Sequence, residues 1–461
     1  MPVAKIFASS ATQRREWMLY HVRSDKAPFN LELSLRLDAF DLELNQQIML
    51  RMLEQYEIFR TTLQVIDGTL YQVIHTPDTF VIDFDKRDLT HLEPAAAEAA
   101  AREMLKASLL TPFDIEQGPL FRILVMEYTP HDLSVHFIFH HLVTDQYSTR
   151  LFVDGMKEMA ALFLSGGQHV FDPAVQYSAY VRFEQELLNT SRGDKYRNYW
   201  ESVLKNGMPM LRLIKEPARQ AFEQRHLQKV AEVKDRLYKL PFVDERFVAP
   251  VIRRYEMSEG GEIHYAYPTD TFTRIERYRR QCETGLLTLM VAGIMLSLHQ
   301  HSGQETFVFE IMASKRPDQH FMQTIGWLAT GGPCFFNIAG KEDAGDLLEY
   351  VDEQLYQLSK HVFYPYESVL YNATPPIGSR IPVFISLTHF EQQSGRTEEG
   401  ITFRKPAGAG NYQDLALFFN FYQDAGEVQL YYNNELFDLD SMEALLHAHA
   451  GFIAQLLGAV V

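Results

Sequence analysis

Cysteine is almost missing from this chain: Cys282 and Cys334 stand alone among 461 residues. Two such thiols form no CxxC pair and no Cys/His cluster at ligand spacing. Neither a disulfide framework nor a zinc site is therefore expected, and the expected compartment is a reducing cytoplasm. The GxxxxGKS/T and GxGxxG phosphate loops, the GxSxG elbow and HExxH are all absent, which removes several common enzyme classes. Long apolar runs are lacking as well. The most apolar stretch, Leu286 to Leu298, is short and reads as a buried helix, and Met1 to Phe7 lacks the uninterrupted apolar core of a signal peptide. Basic residues are outnumbered, 43 against 60 acidic, for a net charge of −17. That balance repels nucleic acid and anionic membranes, and no basic block overrides it, so neither is expected as a partner.

What is present is a polar cluster at the end of an apolar strand. From Leu133 to Phe139 the residues Leu133, Val135, Phe137 and Phe139 alternate with Ser134, His136 and Ile138, giving a strand with one better-buried face. His140 and His141 follow together. Beyond them, Phe152, Met156, Met159 and Phe163 recur at helical spacing until Ser165-Gly166-Gly167, with Asp145 and Ser148 as natural helix starters. A histidine presented at such a junction can serve as a base near neutral pH. It can equally be a packed, hydrogen-bonded strand residue, and HxxxD alone does not separate the two.

Length and ordinary globular composition suggest two lobes. Residues 1–176 form an N-terminal lobe, 177–261 a helical and irregular connection, and 262–461 a C-terminal lobe. Ser10 caps a first helix whose Arg14 and Arg15 are expected to face solvent. Phe29 to Leu37 alternates as a strand, and Asp41 opens a helix with Leu44, Ile48, Met52, Leu53 and Tyr56 on one face. Pro94 starts an alanine-rich helix, and a hairpin around Pro130-His131-Asp132 pairs the histidine strand with its predecessor. Tyr177 to Leu204 is helical up to a Gly207-Met208-Pro209 break, whereas Lys215 to Gly261 is charged and weakly periodic. In the second lobe, helices and strands alternate up to a final helix from Ser441. The fold class is α/β (α+β).

In their order along nearly the whole chain, short motifs here resemble those of nonribosomal peptide synthetase condensation domains, within the chloramphenicol-acetyltransferase-like superfamily of CoA-dependent acyltransferases. The opening S-x-x-Q-x-x-x-W is Ser10, Gln13 and Trp17; R-T is Arg60 and Thr61; F-D-x-x-x-G-P-L runs from Phe113 through Gly118-Pro119-Leu120. The HHxxxDG motif is His140, His141 and Asp145, with Gln146 in place of the glycine. Tyr199-Trp200, Ser302-Gly303-Gln304-Glu305, Arg316, Ile325-Gly326, Tyr364-Pro365-Tyr366-Glu367 and Leu436-Phe437-Asp438 continue the series.

The resemblance implies two lobes forming a V around a central tunnel, with His141 as general base or positioning residue. His140, Asp145 and Arg60 are implied as supporting residues, Asp145 paired with Arg60 and Arg316 in structural pairing. Gln146, Trp17, Trp327 and Thr330 are candidates to line the tunnel, with core packing favoured for Trp17. It further implies an acyl or aminoacyl thioester and an acceptor amine, both carried on the phosphopantetheine of acyl or peptidyl carrier proteins, with no cofactor or metal held by the chain itself. A free-standing enzyme, or a domain excised from a larger synthase, fits the absence of adenylation and carrier motifs. Gln146 and Thr330, which stand where the family commonly has glycine and asparagine, put substrate choice and donor positioning in question. Alternatives remain: a CoA-dependent acyltransferase on a soluble amine or alcohol, against which stands the missing D-F-G-W-G motif; a non-catalytic carrier-binding domain; and, within the family, an epimerisation domain, for whose second catalytic motif the sequence offers no candidate.

Overall fold

The computed structural model describes the chain except residues 1–2, 80–81, 166–174, 206–208, 210, 215, 256–257, 282–284, 370–382, 391–399, 412–413 and 461. The expected helix stop at Gly166-Gly167, the break at Gly207-Met208 and Cys282 lie outside the described residues. The described chain folds into two compact units, one of residues 1–193, 237–244 and 315–329, the other of 194–236, 245–314 and 330–461.

The first unit carries β1 (Val3–Ala8), α1 (Ala11–Val22), β2 (Asn30–Leu37), α2 (Leu42–Gln55), β3 (Thr61–Ile66), β4 (Thr69–His75) and β5 (Phe84–Asp88). After these come α3 (Pro94–Leu110), β6 (Phe121–Thr129), β7 (Asp132–His140), α4 (Gln146–Leu164) and α5 (Tyr177–Leu188). Its two sheets run in the orders β1-β4-β3 and β2-β7-β6-β5. Strand β7 is central. It pairs antiparallel with β2, Asn30 opposite His140, and with β6, Phe121 opposite Phe139, through the hairpin that joins Thr129 to Asp132.

Alternation predicted one buried face for β7, but both are covered: Ser134, His136 and Ile138 are buried alongside Val135, Phe137 and Phe139. Under α3 the polar members satisfy one another. The two ring nitrogens of His136 meet Ser134 Oγ at 2.8 Å and Ser34 Oγ at 2.7 Å. On the other face Phe137 and Phe139 pack edge-on against Phe152 of α4, with ring centroids 5.0 and 5.1 Å apart. Those contacts seat the helix that follows the histidine pair, burying aromatic surface worth several kcal/mol in all.

The second unit carries α6 (Ser191–Leu204), α7 (Glu216–Leu237), α8 (Val248–Tyr255), β8 (Ser258–Ala266), α9 (Thr269–Gln281), α10 (Leu286–Ser302), β9 (Thr306–Ser314) and β10 (Ala329–Asn337). It continues with α11 (Ala344–His361), β11 (Val383–His389), β12 (Gly400–Asn411), β13 (Leu415–Phe421), β14 (Gly426–Asn433) and α12 (Leu439–Val460). One seven-stranded sheet, β10-β9-β11-β13-β14-β8-β12, forms its frame. Helix α10 is apolar nearly all round and buried, as its composition demands.

The lobe boundaries differ from those read in the sequence. The stretch 177–261 is not a separate connection: α5 belongs to the first unit, whereas most of α6 and α7 belongs to the second. Residues 315–329, well inside the supposed C-terminal lobe, belong to the first unit. The cause is local and polar. Lys315 donates to Glu184 of α5 at 2.7 Å, both side chains being fully buried. Burial alone would push the Glu184 carboxyl up, but Lys315 outweighs it and holds the group below its usual range.

Buried histidines make stability pH-dependent. His449 of α12 is fully buried, its Nε2 2.7 Å from the Tyr267 hydroxyl, and burial pushes it down from 6.5 to about 3. The unfolded chain therefore takes up a proton that the folded one refuses. Stability is complete above about 6.5 and falls below it by about 1.4 kcal/mol per pH unit for each such group. His140 is pushed well down in the same way. Denaturant unfolding at pH 7 and pH 5 is expected to show this loss, and His449→Gln to reduce it by one proton's share. An equal slope in the variant would show that His449 is not the group responsible.

Candidate active site

His140 ends β7, and His141 opens the short helical turn His141–Val143 that leads to α4. The two rings serve different ends. His140 is wholly buried among Tyr20, Phe29 and Phe113, with ring centroids 5.0 to 5.9 Å away. Its Nδ1 accepts from the Leu142 N–H at 3.1 Å, so the proton sits on Nε2, which meets no partner among the described residues. A ring in that setting stays neutral and shapes the turn.

His141 is only partly buried. Its Nδ1–H donates to the Thr144 carbonyl at 2.8 Å, which places the lone pair on Nε2. Burial lowers its pKa, against the opposing field of the Glu16 carboxylate, so the free base prevails at neutral pH. That carboxylate is itself held: Arg15, expected to face solvent, is buried and pairs with Glu16 at 2.6 Å. The expectation fails because the helix has buried residues on most of its circumference, leaving no clean periodicity to read. One face of the His141 ring is stacked on Trp327, the rings 3.6 Å apart at 15°.

Asp145 is the knot beside it. Buried at the N-cap of α4, it accepts from the Ser148 N–H at 2.7 Å and from the Leu328 N–H at 2.8 Å. Its ion-pair partner is Arg316, with Nη1 3.4 Å and Nη2 3.5 Å from the two carboxylate oxygens and both side chains fully buried. Arg316 Nη2 also donates to Ser148 Oγ at 3.0 Å and to the Thr324 carbonyl at 3.2 Å. Ser148 Oγ in turn donates to the Gly326 carbonyl at 2.7 Å. The segment 324–328 is thus clasped to the start of α4. Only glycine fits at 326, since a Cβ there would lie 2.1 Å from the Tyr177 ring.

The expected Arg60–Asp145 pair is therefore corrected. Arg60 donates from Nε to the Leu53 carbonyl at 2.9 Å and from Nη1 to the His75 carbonyl, tying the end of α2 to β4. Its guanidinium serves the Leu53 carbonyl that the end of α2 leaves open and the His75 carbonyl of β4, and Arg316 takes the place beside the carboxylate. Trp17 is core: fully buried, it lies against His21 with ring centroids 3.9 Å apart and edge-on to Phe242. Gln146 is exposed in the first turn of α4, and Thr330 lies buried in β10 of the second unit, its hydroxyl donating to the Gly331 carbonyl at 3.2 Å. Among the described residues no group of acidic, histidine and cysteine side chains could hold a metal ion, and no helix is long and apolar enough to cross a membrane.

Chondramide synthase cmdD of Chondromyces crocatus is 25% identical over 463 residues, covering 97% of this chain but only 11% of that protein. Bacitracin synthase 1 of Bacillus licheniformis is 23% identical over 362 residues, 78% of this chain and 6% of that one. The chain thus spans a small part of the length of these relatives. Among solved structures, the epimerization domain from the third module of tyrocidine synthetase B has a similar fold, with a TM-score of 0.74, 14% identity and 99% of each chain covered. The starter condensation domain of rhizomide synthetase matches at the same TM-score and identity, over 98% of this chain and 94% of that one. A family model for the condensation domain matches residues 3–239 and 253–459, which carry both histidines, Asp145 and Arg316. The chain belongs to the condensation-domain family.

Proposed function

We propose that this chain joins an acyl or aminoacyl thioester on one carrier protein to an acceptor amine on another, forming an amide, as one step of nonribosomal peptide or hybrid natural-product synthesis in the cytoplasm. The observation that carries this reading is His141, with Nδ1 bonded to the Thr144 carbonyl and an unprotonated Nε2 presented from a short helical turn. The amine nitrogen attacks the thioester carbonyl, and Nε2 takes the proton the nitrogen sheds. The carbon–sulfur bond then breaks, the phosphopantetheine thiolate leaves, and the imidazolium returns the proton to it. Because a thioester is already activated, much of the acceleration comes from holding the reactants together, with His141 adding about 10²–10⁴-fold. Phosphopantetheine arrives with the carriers as part of the substrates.

Retention of both histidines supports chemistry over mere carrier binding. The exposed Gln146, bulkier than the family's glycine, is the feature that favours a non-catalytic carrier-binding domain. The discriminating experiment supplies acyl-loaded donor and aminoacyl-loaded acceptor carriers and, separately, the same acyl group as CoA thioester with free amine. Intact mass spectrometry should show the acyl mass moving to the acceptor carrier in the first mixture. Transfer only in the second would make the chain a CoA-dependent acyltransferase, and binding without transfer would make it a recruitment domain.

A further inference from the structure

We propose that Trp327 is a positioning residue for His141: clasped in place by Asp145, Ser148 and Arg316, its indole fixes the imidazole plane and keeps water off that face. The proposal rests on the reading of His141 as the reacting base, and it concerns how the base is held. Two independent restraints meet on one ring. The Nδ1 bond to Thr144 fixes the ring's edge, and the parallel stack at 3.6 Å and 15° fixes its plane. Together they leave Nε2 one direction in which to point.

The backbone that carries the indole is tied down on both sides of it. Leu328 N–H donates to Asp145, Gly326 is bonded to Ser148 through both its N–H and its carbonyl, and the Trp327 carbonyl accepts from the Tyr177 hydroxyl at 3.2 Å. Asp145 therefore acts on His141 from two sides, capping the helix after it and anchoring the segment that covers it. The motif aspartate works through tryptophan as well as through the turn. Displacing a reacting group by about 1 Å can cost about 10²-fold in rate, and an indole face also attracts the imidazolium that forms during proton transfer.

Kinetic and spectroscopic readouts separate positioning from simple packing. Trp327→Ala is expected to lower kcat ten- to a hundredfold with little change in KM, and Trp327→Phe, which keeps an aromatic face, to recover most of that loss. An unchanged kcat in a folded Trp327→Ala would overturn the proposal. The second readout needs no turnover and no alanine variant. A protonated imidazole against an indole quenches its emission, so the parent spectrum minus that of Trp327→Phe isolates the signal of this one indole from those of Trp17 and Trp200. That difference should titrate with one midpoint below 6.5, the direction in which burial moves His141, and His141→Gln should abolish it. A flat difference, or a midpoint that survives His141→Gln, would overturn the stack. A titrating signal with full turnover in His141→Ala would instead uphold the stack and overturn the base.

Discussion

Asp145→Ala is expected to destabilise the first unit by about 3–5 kcal/mol and to abolish most turnover at the same time. The substitution leaves the Arg316 guanidinium buried without its carboxylate, and an uncompensated buried charge costs on that scale. It also strands the N–H groups of Ser148 and Leu328, each of which now donates to Asp145 within 2.8 Å. Activity goes with stability because the same carboxylate anchors the turn after His141 and the segment that carries Trp327. Chemical denaturation beside a turnover assay checks both. Replacing Arg316 by methionine in the same chain should restore part of the stability, since the stranded charge is removed, but not the turnover, since the two backbone donors still lack an acceptor. An Asp145→Ala protein that is inactive yet unfolds like the parent would move Asp145 from scaffold to chemistry.

His141→Ala is expected to do the reverse. The residue is partly exposed, makes one hydrogen bond to a backbone carbonyl and rests on one indole. Its loss should change stability by about 1 kcal/mol, while turnover falls by about 10²–10⁴-fold for want of a base. A melting curve close to the parent's, together with a kcat lowered without compensation in KM, is the expected pattern. The contrast between these two variants, four residues apart, divides the motif into a reacting half and a holding half.

Much of this was legible in the sequence. The helix starts at Ser10, Asp41 and Asp145 follow from local capping chemistry and appear in the structure, each with its side chain accepting from the backbone of the first turn. Helix α3, headed by Pro94, and the β6–β7 hairpin follow for similarly local reasons. The partner of Asp145 was not legible. Arg60 and Arg316 both stood in the motif series, but motif order carries no side-chain direction, and the bond that forms spans 171 residues. The burial of Arg15 and Glu16 was hidden for a related reason. A helix enclosed on most sides shows no polar face, and a buried ion pair between neighbours looks like two surface charges. Residues 315–329 were assigned to the wrong lobe because chain order suggested continuity, whereas Lys315 and Arg316 each have their carboxylate in the first unit.

The base assignment of His141 is tested most directly by the single-turnover rate of acyl transfer between loaded carriers, followed by intact mass in the parent and in His141→Ala under saturating acceptor. Single turnover removes product release from the observed rate, so the ratio of the two constants reports the bond-forming step alone. A ratio of about 10² or more is expected with the variant folded. A ratio near one would contradict the base assignment.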